Sequence, residues 1–196
     1  YTPGAIPLRF LRFLNECFEG ESDVAERVQF LREFIGICLF GRATYYGKAL
    51  MLTGSGSNGK SVFMEVSSAL FPDVVLTAIP PQIWSNEYRR AKFAIARLNL
   101  VSEMPEAEII ESEAVKNIIT GELTEGRHIF KPPFEFRPRC GHIFSANNLP
   151  SVRDMSYGFW RRWTVVHWPR NFENVKDVYL AASLVAKELP EFASWV

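Results

Sequence analysis

Residues 54–61 carry the most specific chemical pattern in the chain, G-x-x-x-x-G-K-[ST]. The residues are Gly54, Ser55, Gly56, Ser57, Asn58, Gly59, Lys60 and Ser61. Glycines let the backbone curl until its N–H groups point inward, and a helix that starts directly after the loop adds positive potential there. The pattern therefore predicts a loop that binds nucleotide phosphates, with Lys60 on the β and γ phosphates and Ser61 on Mg²⁺.

Two polar residues further along the chain each follow a short apolar stretch. Glu103 follows residues 98–102, and Asn147 comes after residues 142–145. Beside the loop, Glu103 would orient or deprotonate an attacking water and support Mg²⁺, and Asn147 would contact the γ-phosphate and that water. A surface glutamate and an Asn-Pro turn would give the same pattern without a function. Ser102 stands where an aspartate that holds Mg²⁺ through water is usual, so the second metal contact stays open.

Two adjacent arginines, Arg161 and Arg162, lie in the aromatic stretch GFWRRW at 158–163. A guanidinium group can stack on an aromatic ring and still present its N–H donors. Such a pair could stabilise transition-state charge in the site of a neighbouring subunit, as an arginine finger does. A surface cation–π cluster is the alternative, and the sequence does not choose between the two arginines.

The elements that must hold these residues alternate along the chain. Apolar periodicity predicts helices over 7–19, over 22–38 with Ser22 as the cap, and over 60–70, 112–120 and 175–189. Buried strands are predicted over 48–53, 74–78, 98–102, 142–145 and 164–168. This alternation predicts an α/β fold with a mostly parallel central sheet flanked by helices. We expect a helical segment over 1–44, a core over 45–170 and a helical end over 171–196.

Composition excludes several classes of protein. The 196 residues are 47% hydrophobic and 22% charged, which argues against a disordered chain. The 22 basic and 22 acidic residues cancel, so nucleic-acid binding would need local patches of charge. No apolar run approaches the roughly 20 residues of a membrane span, and we expect no membrane partner. Three scattered cysteines suit a cytoplasmic protein, and the start at Tyr1 suggests a piece of a longer chain.

In this order, the motifs resemble those of superfamily 3 helicases, AAA+-type motors, from the phage, plasmid and poxvirus primase-helicase branch. The resemblance rests on GSGSNGKS at 54–61, LVSE at 100–103, KNIITGE at 116–122, SANNLP at 145–150 and GFWRRW at 158–163. It implies a P-loop NTPase of the AAA+ type preceded by a small helical segment. By the same resemblance, Glu103 is the Walker B carboxylate, Asn147 the sensor of the γ-phosphate, and Arg161 or Arg162 the finger that acts in trans.

The resemblance also implies a protruding β-hairpin that enters the central channel of a ring. Residues 127–130 and 134–137 alternate polar and apolar types like two strands, with 131–133 at the turn. Lys131 is then the first candidate for a DNA phosphate contact, and Arg127 and His128 would contact the DNA backbone from the flank. An ordinary exposed hairpin would show the same alternation.

The function implied by the resemblance is an ATP-dependent DNA helicase. Such a motor assembles as a hexameric ring, uses ATP and Mg²⁺, and translocates 3′ to 5′ on single-stranded DNA at a fork, with a primase fused or associated. If a virus or mobile element encodes it, we expect it in the host cytoplasm. Two alternatives are a non-catalytic ATP-dependent assembly module and a P-loop phosphotransferase. The presence of Lys60, Glu103 and Asn147 argues against the first, and the hairpin and arginine pair against the second.

Overall fold

Helices and strands alternate along the chain, which a computed structural model describes over residues 3–104, 110, 112–147 and 156–196. In that part of the chain the strands are β1 (Ala49–Thr53), β2 (Leu76–Thr77), β3 (Leu98–Val101), β4 (Thr124–Arg127), β5 (Pro133–Phe136), β6 (Gly141–Ala146) and β7 (Trp163–His167). The helices are α1 (Leu8–Cys17), α2 (Val24–Leu39), α3 (Ala43–Tyr46), α4 (Lys60–Ser68), α5 (Glu87–Arg90), α6 (Ser112–Thr120), α7 (Tyr157–Trp160) and α8 (Leu180–Trp195). Four short 3₁₀ segments lie at Asp73–Val75, Pro81–Ile83, Ala91–Ala94 and Glu173–Val175.

Five of the described strands form one parallel sheet in the order β2-β3-β6-β1-β7, and β4 and β5 form a separate antiparallel hairpin. The loop at 54–61 therefore follows a strand, β1, that has a neighbouring strand on each side, β6 and β7. Thr53 at the end of β1 pairs with Ala146 of β6 and His167 of β7. The carboxyl ends of the strands consequently meet at one edge of the sheet, and the predicted α/β fold is confirmed.

Apolar residues of β1 divide between the two faces of the sheet. Leu50 and Leu52 pack with the terminal helices, whereas Ala49 and Met51 pack on the opposite side around α6. Side chains alternate between faces along a strand, so a strand covered on both faces is apolar throughout. This explains why 49–53 has no polar face and could be predicted as a buried strand.

Two predicted helix boundaries are wrong for local reasons. Asp23, and not Ser22, lies at the N-cap of α2. The last helix starts at Leu180 because Asp177 first makes a turn, in which its carboxylate accepts the N–H of Tyr179 at 2.9 Å. That helix also continues through Pro190, and beyond it the Phe192 ring packs 4.6 Å from the ring of Phe10. Tertiary packing therefore offsets the missing backbone donor.

Two predicted strands also differ from the structure. The strand expected over 74–78 is only Leu76–Thr77, because its first residues form a 3₁₀ turn. The first hairpin strand is Thr124–Arg127 and lies three positions before the predicted 127–130. Pairing of Thr124 with Phe136 and of Arg127 with Pro133 leaves residues 128–132 as the loop. The register is decided by packing of β4 on α5, which the alternation of residue types does not encode.

The three cysteines, Cys17, Cys38 and Cys140, are buried and form no disulfide among the described residues. Burial raises the pKa of each thiol above its ordinary value, so these cysteines pack as apolar side chains. Among the helices described, none is both long and apolar enough to cross a lipid bilayer.

Candidate active site

The loop between β1 and α4 curls through a series of left-handed backbone conformations. Gly54, Gly56 and Gly59 have φ angles of 154°, 102° and 91°, and Ser57 has a φ of 49°. Glycine adopts these angles without the steric penalty that a β-carbon brings. The loop thus ends at the N-terminus of α4, where free backbone N–H groups favour an anion.

Lys60 is the first residue of α4, and its side chain is only 6% exposed. Its Nζ atom donates a hydrogen bond to the carbonyl oxygen of Gly54 at 2.8 Å, which holds the ammonium group across the loop. Burial lowers the pKa of Lys60 because it removes water from the charged form. No acidic side chain among the described residues pairs with this ammonium group, and a phosphate group in the loop would supply such a partner.

The segment after β7 braces the loop from one side. Asn58 is 2% exposed, and its amide donates to the carbonyl of Trp168 at 3.4 Å. The N–H of Phe172 donates to the carbonyl of Ser57 at 2.7 Å. These bonds fix Ser57 in its left-handed conformation, so the shape of the loop depends on residues more than 100 positions away.

Gly59 lies directly against α1, and replacing it with alanine should disrupt both the packing of α1 and the loop. A β-carbon there would lie 2.7 Å from Cys17 Sγ and 2.9 Å from the Phe13 ring, and the φ of 91° disfavours alanine. We expect Gly59→Ala to cost about 2–4 kcal/mol in the free energy of unfolding and to weaken nucleotide binding. Urea unfolding and titration with a fluorescent ATP analogue measure both effects.

Gly56→Ala is the matched control, because Gly56 also has a left-handed φ but a β-carbon there would meet no atom within 4 Å. This substitution should lower the free energy of unfolding by about 1–2 kcal/mol, which is the cost of the left-handed backbone conformation alone. Equal destabilisation by the two changes would contradict the proposed contact between the loop and α1.

The loop opens into a cleft of 1270 Å³ at the carboxyl edge of the sheet. Ser102 and Glu103, directly after β3, line this cleft together with Asn147, directly after β6. The N–H of Met104 donates to the carbonyl of Ser145 at 3.0 Å, which ties these two strand ends together. The structure therefore brings together the predicted loop, Glu103 and Asn147. Asn148, Leu149 and Pro150 of the predicted stretch 145–150 lie outside the described residues.

Two further walls of the cleft were not predicted from the sequence. They come from α1 and from the segment that precedes α8. The first wall is formed by Arg9, Arg12, Phe13 and Glu16, and the second by Arg170, Phe172, Val175, Lys176, Asp177 and Leu180. Arg9, Arg12 and Glu16 follow the spacing of a helix face, but an ordinary solvated helix has the same spacing. Only the tertiary contacts place them at the cleft.

Glu188 of α8 fixes the start of α1 beside the cleft. Its two carboxylate oxygens accept the backbone N–H groups of Arg9 and Phe10, both at 3.0 Å. These are N–H groups of the first helical turn, which have no partner within the helix. The terminal helices are therefore joined by a charged cap, which fixes α1 where it forms one wall of the cleft.

Arg161 and Arg162 lie at the amino ends of the parallel strands, on the side of the sheet opposite to the carboxyl ends where the cleft opens. They precede β7, and the carbonyl of Arg162 accepts the N–H of Ala49, the first residue of β1. The five residues of β1 separate them from Gly54, a distance of roughly 16 Å. Burial and the neighbouring Arg161 lower the pKa of Arg162, whose guanidinium donates to the carbonyl of Gly158. Arg161 is exposed. Neither arginine lines the cleft of its own chain.

The three predicted DNA contacts lie on the β4–β5 hairpin, away from the cleft. Arg127 is engaged within the protein: its guanidinium lies 3.6 Å from the Glu87 carboxylate and donates to the carbonyl of Lys131 at 3.2 Å. His128 stacks on Phe134 with 5.0 Å between ring centres. The side chain of Lys131 is exposed at the turn. Lys131 is therefore an exposed cation at the turn, whereas Arg127 and His128 make contacts within the protein.

Residues 52–162 match the model of a protein family described as "Family of unknown function (DUF5906)". The match starts inside β1, includes the loop, Glu103, the hairpin and Asn147, and ends at Arg162. It covers more than half of the chain. The chain belongs to this family.

A viral relative of this DUF5906 domain is the protein named "Putative helicase L207/L206" of Acanthamoeba polyphaga mimivirus. The two are 24% identical over 201 residues, which is 92% of this chain but 20% of the relative. The chain therefore spans about a fifth of the curated relative that it matches. This relationship confirms the resemblance to helicases that the motifs predict.

The fold of the DUF5906 domain is that of solved apo structures of the C-terminal region of NrS-1. One covers 100% of this chain with a TM-score of 0.74 at 14% identity, and a second covers 100% with a TM-score of 0.72 at 13% identity. The chain spans 48% and 46% of those solved chains, respectively. This likeness confirms the fold, with its parallel sheet, flanking helices and hairpin.

Proposed function

We propose that this chain is the ATP-hydrolysing motor domain of a DNA helicase that acts with a primase during replication. The observation that carries the proposal is the cleft, where the loop with Lys60 and Ser61, the carboxylate Glu103 and the amide Asn147 line one space. They come from β1, β3 and β6, which are neighbours in the sheet. The similarity to a viral protein named as a helicase supports the same function.

The loop is suited to bind the phosphates of ATP. Its left-handed residues and the start of α4 direct backbone N–H groups toward the cleft, and Lys60 supplies a desolvated positive charge. The Ser61 hydroxyl is exposed in the cleft, where it would hold Mg²⁺ beside the phosphates. When bound, Mg²⁺ neutralises charge on the phosphate oxygens. Among the described residues, no group of three or more acidic, histidine or cysteine side chains forms a separate metal site.

Glu103 and Asn147 would act on the attacking water. Both follow their strands by one or two residues, and both are exposed to the cleft. A carboxylate can accept a proton from water, while an amide can hydrogen-bond the γ-phosphate and the water together. Ser102 lies beside Glu103 in the cleft, so a hydroxyl replaces the usual second carboxylate.

The position of the arginine pair supports shared active sites. Arg161 and Arg162 lie on the far edge of the sheet from their own loop, so they can act on ATP only in a neighbouring copy. A ring, which we propose to be a hexamer, would place them there. Hydrolysis would then alter the interface and move the hairpin that carries Lys131 on single-stranded DNA, in the 3′ to 5′ direction.

The proposal is tested by the steady-state ATPase rate, measured with and without single-stranded DNA over a series of protein concentrations. Shared sites predict a rate that rises more than linearly with protein and increases further with DNA. Lys131→Ala should abolish the response to DNA and keep the basal rate. A DNA-independent rate that is strictly linear in protein would contradict the motor and favour a small-molecule phosphotransferase.

Glu103→Gln tests the catalytic role of the carboxylate. Loss of a general base lowers turnover by about 100- to 1,000-fold, while ATP binding should be kept because the loop is unchanged. Glu113→Gln is the matched control, since Glu113 is exposed on α6 and does not line the cleft. If the parent protein turns over no faster than Glu103→Gln, nucleotide serves only assembly and the enzymatic proposal is wrong.

A further inference from the structure

The hairpin loop at 128–132 exposes its largest apolar side chain completely. Phe130 is 100% exposed and its neighbour Ile129 is 70% exposed, although the hairpin itself contains Phe134 and Phe136 on which an aromatic ring could pack. A fully solvated phenylalanine forgoes about 2 kcal/mol of hydrophobic stabilisation. The ring therefore has no role in the packing of the hairpin.

Phe130 also has a φ of 58°, which is rare for an aromatic residue. The loop is held in this shape by its own contacts: the N–H of Lys131 donates to the carbonyl of His128 at 3.0 Å, and Arg127 donates to the carbonyl of Lys131. The His128 ring is in turn stacked on Phe134. Strain of this kind persists when the surrounding contacts impose it, and it is concentrated at functional positions.

The hairpin that carries Phe130 and the segment on which the hairpin packs contain more basic than acidic side chains. The hairpin packs on residues 87–94, where Arg90 donates to the carbonyl of Glu125 at 2.6 Å. Residues 87–94 and 124–137 together contain three acidic side chains and six basic ones, namely Arg89, Arg90, Lys92, Arg127, Lys131 and Arg137. An exposed ring next to the exposed cation Lys131, on a hairpin with excess positive charge, suits a partner that is both aromatic and anionic. An unpaired strand of nucleic acid fits this description.

We propose that Phe130 stacks on an unpaired base of single-stranded DNA while Lys131 contacts the adjacent phosphate. Aromatic stacking is tolerant of sequence because every base has a flat face, so it suits a protein that moves along a strand. The assignment rests on the proposed function of the hairpin but adds a residue and a type of contact to it. An apolar protein surface fits less well, because it would also cover the exposed Lys131 next to Phe130.

The test is the affinity of Phe130→Leu for a labelled 20-nucleotide oligo-dT, measured by fluorescence anisotropy with a non-hydrolysable ATP analogue. Leucine keeps the apolar surface and removes the aromatic face, so affinity should fall roughly 5- to 100-fold. Phe130→Tyr should restore it. Since the side chain is fully exposed, both variants should fold like the parent.

Two further measurements separate stacking from charge. On a strand of the same length with abasic sites in place of bases, Phe130→Leu and the parent should bind equally. The slope of log affinity against log salt should be unchanged in Phe130→Leu and should fall by about 0.7 in Lys131→Ala, as expected for one lost contact to a single-stranded phosphate.

The outcomes distinguish this inference from the function on which it rests. If the parent binds oligo-dT and Phe130→Leu binds it equally well, the stacking contact is wrong and the motor stands. A loss of self-association in Phe130→Leu with DNA affinity unchanged would assign the ring to a second copy of the chain. If the parent has no affinity for single-stranded DNA, both proposals fail.

Discussion

Lys60→Ala is expected to lower ATP turnover by roughly 100-fold or more, because it removes a preorganised positive charge from the place where charge develops on the phosphates. The side chain is nearly buried and its Nζ atom donates to the carbonyl of Gly54 across the loop, so the ammonium group is held in place in the loop. Alanine is a good helix former and Lys60 opens α4, so the fold should be kept. Steady-state ATPase assays and titration with a fluorescent ATP analogue measure the effect.

Lys187→Ala provides the matched control for this substitution. Lys187 is an exposed lysine on α8 that does not line the cleft, so its loss should leave turnover within a factor of two. Circular dichroism and thermal unfolding establish that both variants are folded. Turnover in Lys60→Ala equal to that of Lys187→Ala would contradict the assignment of the loop as the nucleotide site.

The second large effect concerns the dependence of stability on pH. His142 on β6 is 0% exposed, lies among the rings of Trp84, Phe93 and Phe144, and neither of its ring nitrogens has a hydrogen-bond partner among the described residues. Burial lowers the pKa of His142 to about 3. In the unfolded chain, histidine has its ordinary pKa of about 6.5. Between about pH 3 and 6.5, the unfolded chain therefore binds a proton at this residue that the folded chain does not bind.

Stability should accordingly be highest above pH 6.5 and should fall as the pH decreases from there toward 3. The slope from this one group is about 1.4 kcal/mol per pH unit, and the full window corresponds to several kcal/mol. His142→Phe should remove this contribution. At pH 7.5 its unfolding free energy should lie within about 1.5 kcal/mol of the parent, because the two rings are close in volume and the surroundings are aromatic.

Urea unfolding of the parent and of His142→Phe at pH 7.5, 6, 5 and 4 tests this prediction. The difference between their unfolding free energies removes the contribution of the carboxylates, which titrate in both proteins. The difference should grow in favour of His142→Phe as the pH falls. His128→Phe is the control, since it removes an exposed histidine of the hairpin and leaves His142 in place. A difference that is constant over this pH range would show that His142 binds protons equally in the folded and unfolded states, and it would contradict the prediction.

Local sequence patterns were sufficient for the elements with strong periodicity or a specific motif. The helix over 112–120 has the predicted bounds, and β1, β3 and β6 lie within one or two residues of the predicted strands. These strands are apolar because both of their faces are covered, and glycine spacing marks the loop because few other residues adopt its backbone angles. Glu103 and Asn147 could be predicted at one cleft because parallel strands end at a common edge.

Other features depend on contacts between distant parts of the chain. The register of the hairpin follows its packing on α5, and α8 continues through Pro190 because Phe192 packs on Phe10. The walls of the cleft at Arg9 and Arg170 have no local signal at all. The strand order places Arg161 and Arg162 about one strand length from the loop, which separates them from their own cleft.

The sequence by itself determined the fold class and predicted the phosphate-binding loop, because both depend on residue types at fixed short spacings. Only the tertiary structure decided which side chains are exposed to solvent. Phe130 and Phe134 have the same type and lie four residues apart, yet one is fully exposed and the other stacks on His128. Exposure results from how the hairpin loop folds on its own strands, and no pattern of neighbouring residues specifies it.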